Sequence, residues 1–282
     1  MIDVSSSRTP VLRGRAVTAQ RAFWVVALTA LAFGAPGAET AREILDRRKA
    51  LENGTRWWDD RHELLTMHIT GRGADRTREV DVYDRRYPDA ERKTIVFVTA
   101  PADMKGTAFL SFTHKGRPAE QWLYLPELQR VRQITASARN ESFVGSDLSY
   151  HDLDLLQEMI GWSEADAGSS LRPGETLDGT PNDVIELTPH REDIGYRRIV
   201  LWLGHADLVP RGLDLFEAGD TPKKRIRQRD VRMVGAIPVA YRMEVETTVA
   251  ATRTTIEVVN VQFNQKLEDD LFTQRALGRG GR

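Results

Sequence analysis

The sequence of 282 residues contains no cysteine. This absence excludes disulfide bonds, a thiol nucleophile, zinc–thiolate sites and a lipid-modified cysteine at the N-terminus. The stability of the fold must therefore come from packing alone.

The chain also lacks an excess of charge of one sign, because 40 lysines and arginines stand against 41 aspartates and glutamates, a formal net charge of −1. Proteins that attract nucleic acid carry a basic surplus. We therefore predict no nucleic-acid partner. Apolar residues make up 40% of the chain and charged residues 29%, which is typical of a globular protein.

Long apolar runs are scarce, and the one candidate, residues 22–33, spans about 12 residues where a membrane helix needs about 20. Basic residues precede this run, namely Arg8, Arg13, Arg15 and Arg21. The small-residue segment 34–38 follows it. This arrangement predicts a secretory signal peptide over residues 1–38, cleaved near Gly37 or Ala38, and a single exported domain over residues 39–282. A retained amphipathic anchor is the alternative.

A first helix is predicted over residues 41–52, directly after the signal peptide, because Ile44, Leu45, Arg48 and Leu51 share one stripe at helical spacing. An Asn-Gly pair ends this helix. A second helix is predicted over residues 149–162. The segment 267–277 predicts one helical turn.

Strand patterns occupy most of the remaining chain, as short runs rich in Val, Ile, Phe and Tyr between turn residues. Eleven such runs are found, at residues 77–84, 92–100, 107–114, 120–126, 129–135, 183–190, 195–204, 208–218, 223–234, 237–247 and 253–264. The alternating segment 64–69 is also compatible with the start of a strand. Short connections indicate antiparallel neighbours, and the doubly apolar run 95–99 indicates a sheet covered on both faces there. The predicted class is antiparallel α+β.

The segment SFVGSDLSYHDL, residues 142–153, concentrates polar side chains around one glycine. Ser149 followed by Asp152 three residues later predicts a capping box at a helix start, with Gly145 permitting the preceding turn. On this interpretation the segment is architectural. The alternative, in which Asp147, Tyr150 and His151 face a ligand or partner, stays open.

The sequence carries no recognisable motif for catalysis. None of the six histidines has a partner at the i, i+4 spacing of a helical metal site, and no nucleophile elbow, phosphate loop or dinucleotide fingerprint occurs. We predict a protein that is not an enzyme and uses no metal or cofactor. An envelope hydrolase based on His151 with Asp147 or Asp152 is the least favoured alternative.

Four segments resemble, in order, the periplasmic outer-membrane lipoprotein-sorting-like family: residues 122–134, 142–153, 213–246 and 254–277. This family is distantly related to the carrier LolA and often accompanies RND-type exporters. The resemblance covers residues 41–277. It implies a strongly curved, unclosed antiparallel sheet of about eleven strands, a half-barrel with helices packed in its concave side and a hydrophobic cavity between them.

The resemblance also implies a function. We expect a periplasmic carrier or chaperone for a lipid, lipoprotein acyl chains or other hydrophobic cargo, which works as a monomer with an inner-membrane RND-type exporter and contacts membranes transiently. The large side chains predicted for the cavity wall are Phe97, Phe109, Trp122, Tyr124, Phe143 and Trp202. The residues predicted for a loop at the cavity mouth are Gly145, Ser146, Asp147, Tyr150 and Asp152. A non-enzymatic scaffold or regulatory protein that binds an envelope partner is the second hypothesis.

Overall fold

The computed structural model describes residues 39–71, 73–88 and 91–279. The predicted signal peptide lies outside the described residues. No helix among those described has the length and apolar character needed to span a bilayer.

Three α-helices are present in the described part of the chain: α1 at Ala41–Glu52, α2 at Tyr150–Glu158 and α3 at Gln274–Leu277. Helix α1 has the predicted bounds. It begins with a capping box, because the Thr40 hydroxyl accepts from the backbone of Glu43 and the Glu43 carboxylate accepts from the backbone N–H of Thr40.

Within the described residues, thirteen strands form a single sheet. They are β1 Asp60–Thr70, β2 Arg76–Arg86, β3 Arg92–Ala100, β4 Ala108–His114, β5 Arg117–Leu125, β6 Arg130–Gln133, β7 Ala167–Leu177, β8 Thr180–Pro189, β9 Arg198–Gly204, β10 Pro210–Phe216, β11 Lys224–Val234, β12 Ile237–Thr247 and β13 Thr252–Phe263. Their order in the sheet is β6-β5-β4-β3-β2-β1-β13-β12-β11-β10-β9-β8-β7. The sheet is unclosed, with β6 and β7 at its two edges.

Every neighbouring pair is antiparallel, and each strand pairs with the next along the chain except across the connection from β6 to β7. That connection carries α2 between the two edges. The pairing of β1 with β13 joins the two halves of the sheet. The predicted antiparallel, unclosed sheet is confirmed.

The strand number is two higher than the eleven predicted. One addition is β1, of which only residues 64–69 were noted as compatible with a strand. The other is β7, an edge strand exposed along most of its length. Its pairing with β8 is interrupted between Arg172 and Glu175, around Pro173 and Gly174, and such residues are typical of edge strands and obscure a strand pattern.

The contacts of α2 require the sheet to curve. Gln121 on β5 donates to the backbone carbonyl of Tyr150 over 3.0 Å, and Lys224 on β11 pairs with Asp152. In the sheet order β5 and β11 lie seven positions apart, a distance of about 34 Å in a flat sheet at about 4.8 Å per strand. A helix is only about 10–12 Å across, so the sheet wraps around α2.

Both faces of the sheet carry core. The inner face forms the main apolar cluster with α1 and α2, and it includes Ile44, Val96, Leu155 and Ile226. On the outer face of β3–β5, a second cluster is covered by the C-terminal segment, where Phe272 and Leu277 are buried. The prediction that residues 95–99 are covered on both sides is confirmed.

Candidate functional site

The inner face of β1, β2 and β3 changes from apolar to charged along each strand. On β1, Leu65 and Met67 are followed on the same face by Glu63 and Arg61, because side chains two residues apart point the same way. The strand register places Arg61 opposite Asp84 on β2, and Asp84 opposite Thr94 on β3. Charged groups from three strands are thereby brought together inside the half-barrel.

Asp84 is the centre of this charged region and has no exposed surface. Its carboxylate accepts from the Arg61 Nε at 3.0 Å and from the Arg92 Nε at 3.0 Å. The Thr94 hydroxyl donates to it over 2.6 Å. Burial alone would raise the pKa of Asp84, but the two guanidinium groups and the hydrogen bonds lower it to about 2. The carboxylate is therefore ionised at neutral pH.

The two adjacent tryptophans lie beside these arginines. The Arg86 guanidinium lies over the Trp57 ring, 4.1 Å from its centroid. Arg61, Arg86 and Arg92 all lie within 5.2 Å of the centroid of the Trp58 ring. The negative faces of the rings offset part of the repulsion between the cations. Burial, followed by the charge of Arg92, still lowers the pKa of Arg86 to about 10.

A cavity of about 620 Å³ opens between the inner face of the sheet and the C-terminal ends of α1 and α2. One wall is apolar and comes mainly from β1, β12 and β13, with the side chains of Leu65, Val239, Met243, Ile256, Val258 and Phe263. Four arginines also border the cavity, Arg48, Arg61, Arg86 and Arg92. We call this region the arginine end of the cavity. The cavity is thus amphipathic, with an apolar wall and a cationic end.

Arg48 differs from the other three arginines of this end because it has no partner. It lies on the inward stripe of α1 with Ala41 and Ile44 and is only 7% exposed. Its Nε is buried without a hydrogen-bond acceptor. Its side chain makes no hydrogen bond or ion pair with any residue in the described part of the chain. Burial lowers the pKa of Arg48, although Glu52 acts in the opposite direction.

Glu158, the last residue of α2, also borders the cavity. It forms an ion pair with Arg191 over 3.3 Å. Burial outweighs the effect of Arg191 and raises the pKa of Glu158 to about 7. Its charge therefore changes near neutral pH.

The segment 142–153 does not border the cavity. Its polar side chains are bonded to one another and to residues of other strands and loops. Asp152 forms the predicted capping box with Ser149, accepts from the Tyr196 hydroxyl over 2.7 Å and pairs with Lys224. We call these four residues the Asp152 cluster. Although burial opposes ionisation, the charge of Lys224 holds the pKa of Asp152 below its usual range. The architectural interpretation of the capping box is confirmed.

The other residues of that segment are similarly bonded. The Asp147 carboxylate accepts from the hydroxyls of Thr247 and Thr254, each over 2.7 Å, and Ser146 and Tyr150 are buried. Gly145 is half-buried and has a φ of +79°, the left-handed region that glycine favours. The role of these residues at a cavity mouth stays a prediction.

The six large side chains predicted for the cavity wall are distributed over three apolar clusters. Phe109 and Phe143 contact each other in the inner core, with ring centroids 5.5 Å apart. Phe97, Trp122 and Tyr124 belong to the outer cluster under the C-terminal segment, and Trp202 lies in a third cluster on β8–β10. None of the six borders the cavity of about 620 Å³.

The residues that do border the cavity were not singled out from the sequence, apart from the placement of Arg48 on the helical stripe. The alternation of side chains along β2 did contain a signal for these residues. Val80 and Val82 are followed on the same face, at the same spacing of two residues, by the charged residues Asp84 and Arg86. Within residues 39–71, 73–88 and 91–279, no group of three or more histidines and carboxylates is arranged to hold a metal ion.

Comparison with known proteins gives a family match and several similar structures. The model of a family described as "Uncharacterized protein" matches residues 90–279. No curated protein matches the chain. A domain assigned to outer-membrane lipoprotein sorting from Vibrio parahaemolyticus is 24% identical, with a TM-score of 0.76 over 84% of this chain and 97% of that one.

Two further structures agree on the fold. A DUF1329 family protein from Desulfovibrio piger has the same identity, coverage and TM-score, 24%, 84% and 97%, and 0.76. A LolA superfamily protein from Nitrosomonas europaea is 19% identical, with a TM-score of 0.62 over 85% of this chain and all of that one. The predicted resemblance to lipoprotein-sorting proteins and LolA is therefore confirmed at the level of the fold.

Proposed function

Because the chain belongs to the family whose model matches residues 90–279 and folds like LolA, we propose that it is a non-enzymatic carrier of hydrophobic cargo. The cargo, a lipid or the acyl chains of a lipoprotein, lies in the cavity against the apolar wall. Structural neighbours assigned to lipoprotein sorting support this proposal.

The observation that carries the proposal is the cavity itself. Its volume of about 620 Å³ falls within the range of about 300–1,000 Å³ that is usual for small-molecule sites. Burial of an acyl chain contributes about 0.8 kcal/mol per methylene, so an apolar wall is sufficient for binding. A carrier of this kind needs no reactive group.

The cellular setting is part of the same proposal. We infer that residues 1–38 direct export and are removed, that residues 39–282 act as one domain in the periplasm, and that an inner-membrane RND-type exporter is the partner for delivery toward the outer membrane. The basic, apolar and small-residue order of residues 8–38 supports export. Co-purification of a tagged protein with an exporter from solubilised inner membranes tests the partnership.

The carrier proposal is tested by native mass spectrometry of protein purified from the periplasm without detergent, followed by solvent extraction. We expect an additional mass that extracts as a lipid. The variant Val258→Asp places a carboxylate on the apolar wall of the cavity and should abolish loading. The matched control is Val259→Asp, because Val259 is the next residue of β13 and is 64% exposed.

Loading that survives in Val258→Asp would contradict the assignment of this wall. A protein that stays empty after incubation with membrane lipids, and yet co-purifies with an envelope protein, would favour the scaffold hypothesis instead. Circular dichroism of both variants establishes that they are folded.

A further inference from the structure

Arg48 is a buried cation that makes no hydrogen bond or ion pair in the described part of the chain. A buried cation is expected to have a counter-ion, because its desolvation is otherwise uncompensated. Arg48 borders the cavity and is more than nine-tenths buried, yet its Nε has no acceptor. A group that enters the cavity is therefore the available source of a counter-ion.

The carboxylates that surround the arginine end are already engaged with other cations. Asp84 pairs with Arg61 and Arg92. Glu63 lies 3.2 Å from an Arg61 nitrogen, and Glu52 lies 3.7 Å from an Arg56 nitrogen. None of these three carboxylates lies within ion-pair distance of Arg48. Arg86 donates to the Glu52 carbonyl and to Asn53 Oδ1, so Arg48 is the arginine of this end that has neither an ion pair nor a hydrogen bond among the described residues.

Other polar groups near Arg48 point to the same chemistry. Lys49, the next residue of α1, also borders the cavity and donates to the Gly161 carbonyl over 2.8 Å. The charge of Arg92 is the second cause, after burial, of the lowered pKa of Arg86. Four arginines and Lys49 thus stand against three carboxylates at this end, those of Glu52, Glu63 and Asp84, and a surplus of positive charge favours an anion.

We propose that the arginine end is an anionic subsite, in which Arg48 binds the phosphate or carboxylate head of an amphiphile whose chain lies along Met243, Ile256 and Val258. This inference rests on the proposed carrier function and specifies its cargo. A guanidinium group donates in a fork that matches the oxygens of phosphate and carboxylate. Apolar burial then provides affinity, and Arg48 provides selection for charged heads.

The test compares two ligands that differ only in the phosphate. Delipidated protein is titrated with 1-oleoyl lysophosphatidic acid and with 1-oleoylglycerol, below the micellar concentration of each, by isothermal titration calorimetry. We expect the phosphate ligand to bind at least about tenfold more tightly, as a charge-assisted hydrogen bond allows. Arg48→Met should reduce this preference to about twofold or less.

The matched control is Arg47→Met, because Arg47 is the neighbouring residue of α1 but is exposed and pairs with Glu39. It should keep the full preference for the phosphate ligand. Circular dichroism and thermal unfolding of the three proteins establish that a lost preference is not a lost fold.

Each of the other possible outcomes would overturn a stated part of the proposal. Equal binding of the two ligands by the wild-type protein, or a preference that persists in Arg48→Met, would overturn the anionic subsite and leave the carrier proposal intact. Failure of both ligands to bind would overturn the carrier proposal itself. Inorganic phosphate that binds as tightly as lysophosphatidic acid would show a site for the free anion and would overturn the assignment to an amphiphile.

Discussion

Two buried polar regions of this molecule differ in whether their charged groups have hydrogen-bond and ion-pair partners. In the Asp152 cluster the carboxylate accepts from the Ser149 backbone and hydroxyl and from Tyr196, and it pairs with Lys224. At the arginine end of the cavity, Arg48 has no acceptor among the described residues. Both regions are inside the half-barrel, so burial alone does not distinguish them.

The difference separates a structural role from a binding role. A fully satisfied buried network fixes elements relative to one another, and the Asp152 cluster joins the start of α2 to β11. A buried charge without a partner, beside a cavity, is unsatisfied in the empty protein and complementary to a ligand. The Asp152 cluster is therefore architectural, whereas the candidate site is formed by residues with weaker local sequence signals.

The largest change in the free energy of unfolding is expected when the Asp152 cluster is disrupted. Asp152→Ala leaves Lys224 buried without its counter-ion and removes the capping box of α2. Loss of one partner of a buried ion pair costs about 3–5 kcal/mol. We expect the free energy of unfolding, measured by urea denaturation at pH 7, to fall by about that amount.

Helix α1 provides the matched control for this prediction. Glu43 holds the same position in the capping box of α1, but it is exposed and pairs with no buried cation. Glu43→Ala should therefore lower the free energy of unfolding much less than Asp152→Ala does. Similar losses in the two variants would show that the capping geometry, and not the buried charge pair, dominates the Asp152 cluster.

An intermediate effect is expected at Asp84, the carboxylate that pairs with Arg61 and Arg92 at the arginine end. The folded pKa of about 2 lies below the value of about 3.9 for an unfolded aspartate. The stabilisation is therefore fully present above about pH 4, and it is lost as the pH falls through the folded pKa. The difference corresponds to about 2–3 kcal/mol.

Urea denaturation of the wild-type protein and Asp84→Asn at pH 5, 4, 3 and 2 measures this contribution. The other carboxylates titrate in both proteins, so the comparison isolates Asp84. We expect the wild-type protein to lose about 2–3 kcal/mol more than the variant over this range. Parallel curves for the two proteins would contradict the low pKa assigned to Asp84.

Much of the fold was predictable because its signals are local. The bounds of α1, β3 and β12 agree with those expected from periodicity and turn residues. Strand β7 was missed because an exposed edge strand with Pro173 and Gly174 needs few apolar residues, and its existence depends on pairing with β8. The number of strands was therefore underestimated where tertiary pairing, and not residue pattern, decides the structure.

The candidate site was less predictable because it depends on distant pairing. Asp84 meets Arg61 through the register of β1 and β2, and Arg48 reaches the cavity only when α1 lies in the half-barrel. Large aromatic side chains such as Phe97 and Trp122 were natural candidates for a cavity wall. Because β3–β5 carry core on both faces, size and apolar character do not reveal which face such a side chain occupies.

The smallest change in the free energy of unfolding is expected at Arg48, the buried cation without a partner. If Arg48 has no structural partner, then Arg48→Met removes an uncompensated buried charge and keeps most of the packing volume. Replacement of poorly compensated buried charge by apolar groups is often neutral or stabilising. We expect the free energy of unfolding of the ligand-free protein to stay the same or rise by up to about 1 kcal/mol.

This result would contrast directly with the loss expected for Asp152→Ala, although both substitutions remove a buried charge. Urea denaturation of delipidated protein is the measurement, since bound cargo would stabilise the wild-type protein by mass action. A loss of more than about 1 kcal/mol in Arg48→Met would mean that Arg48 stabilises the empty fold. A neutral change would mean that Arg48 contributes nothing to the stability of the empty protein, and a stabilising change that it lowers this stability; either is expected for a residue whose counter-ion arrives with the ligand.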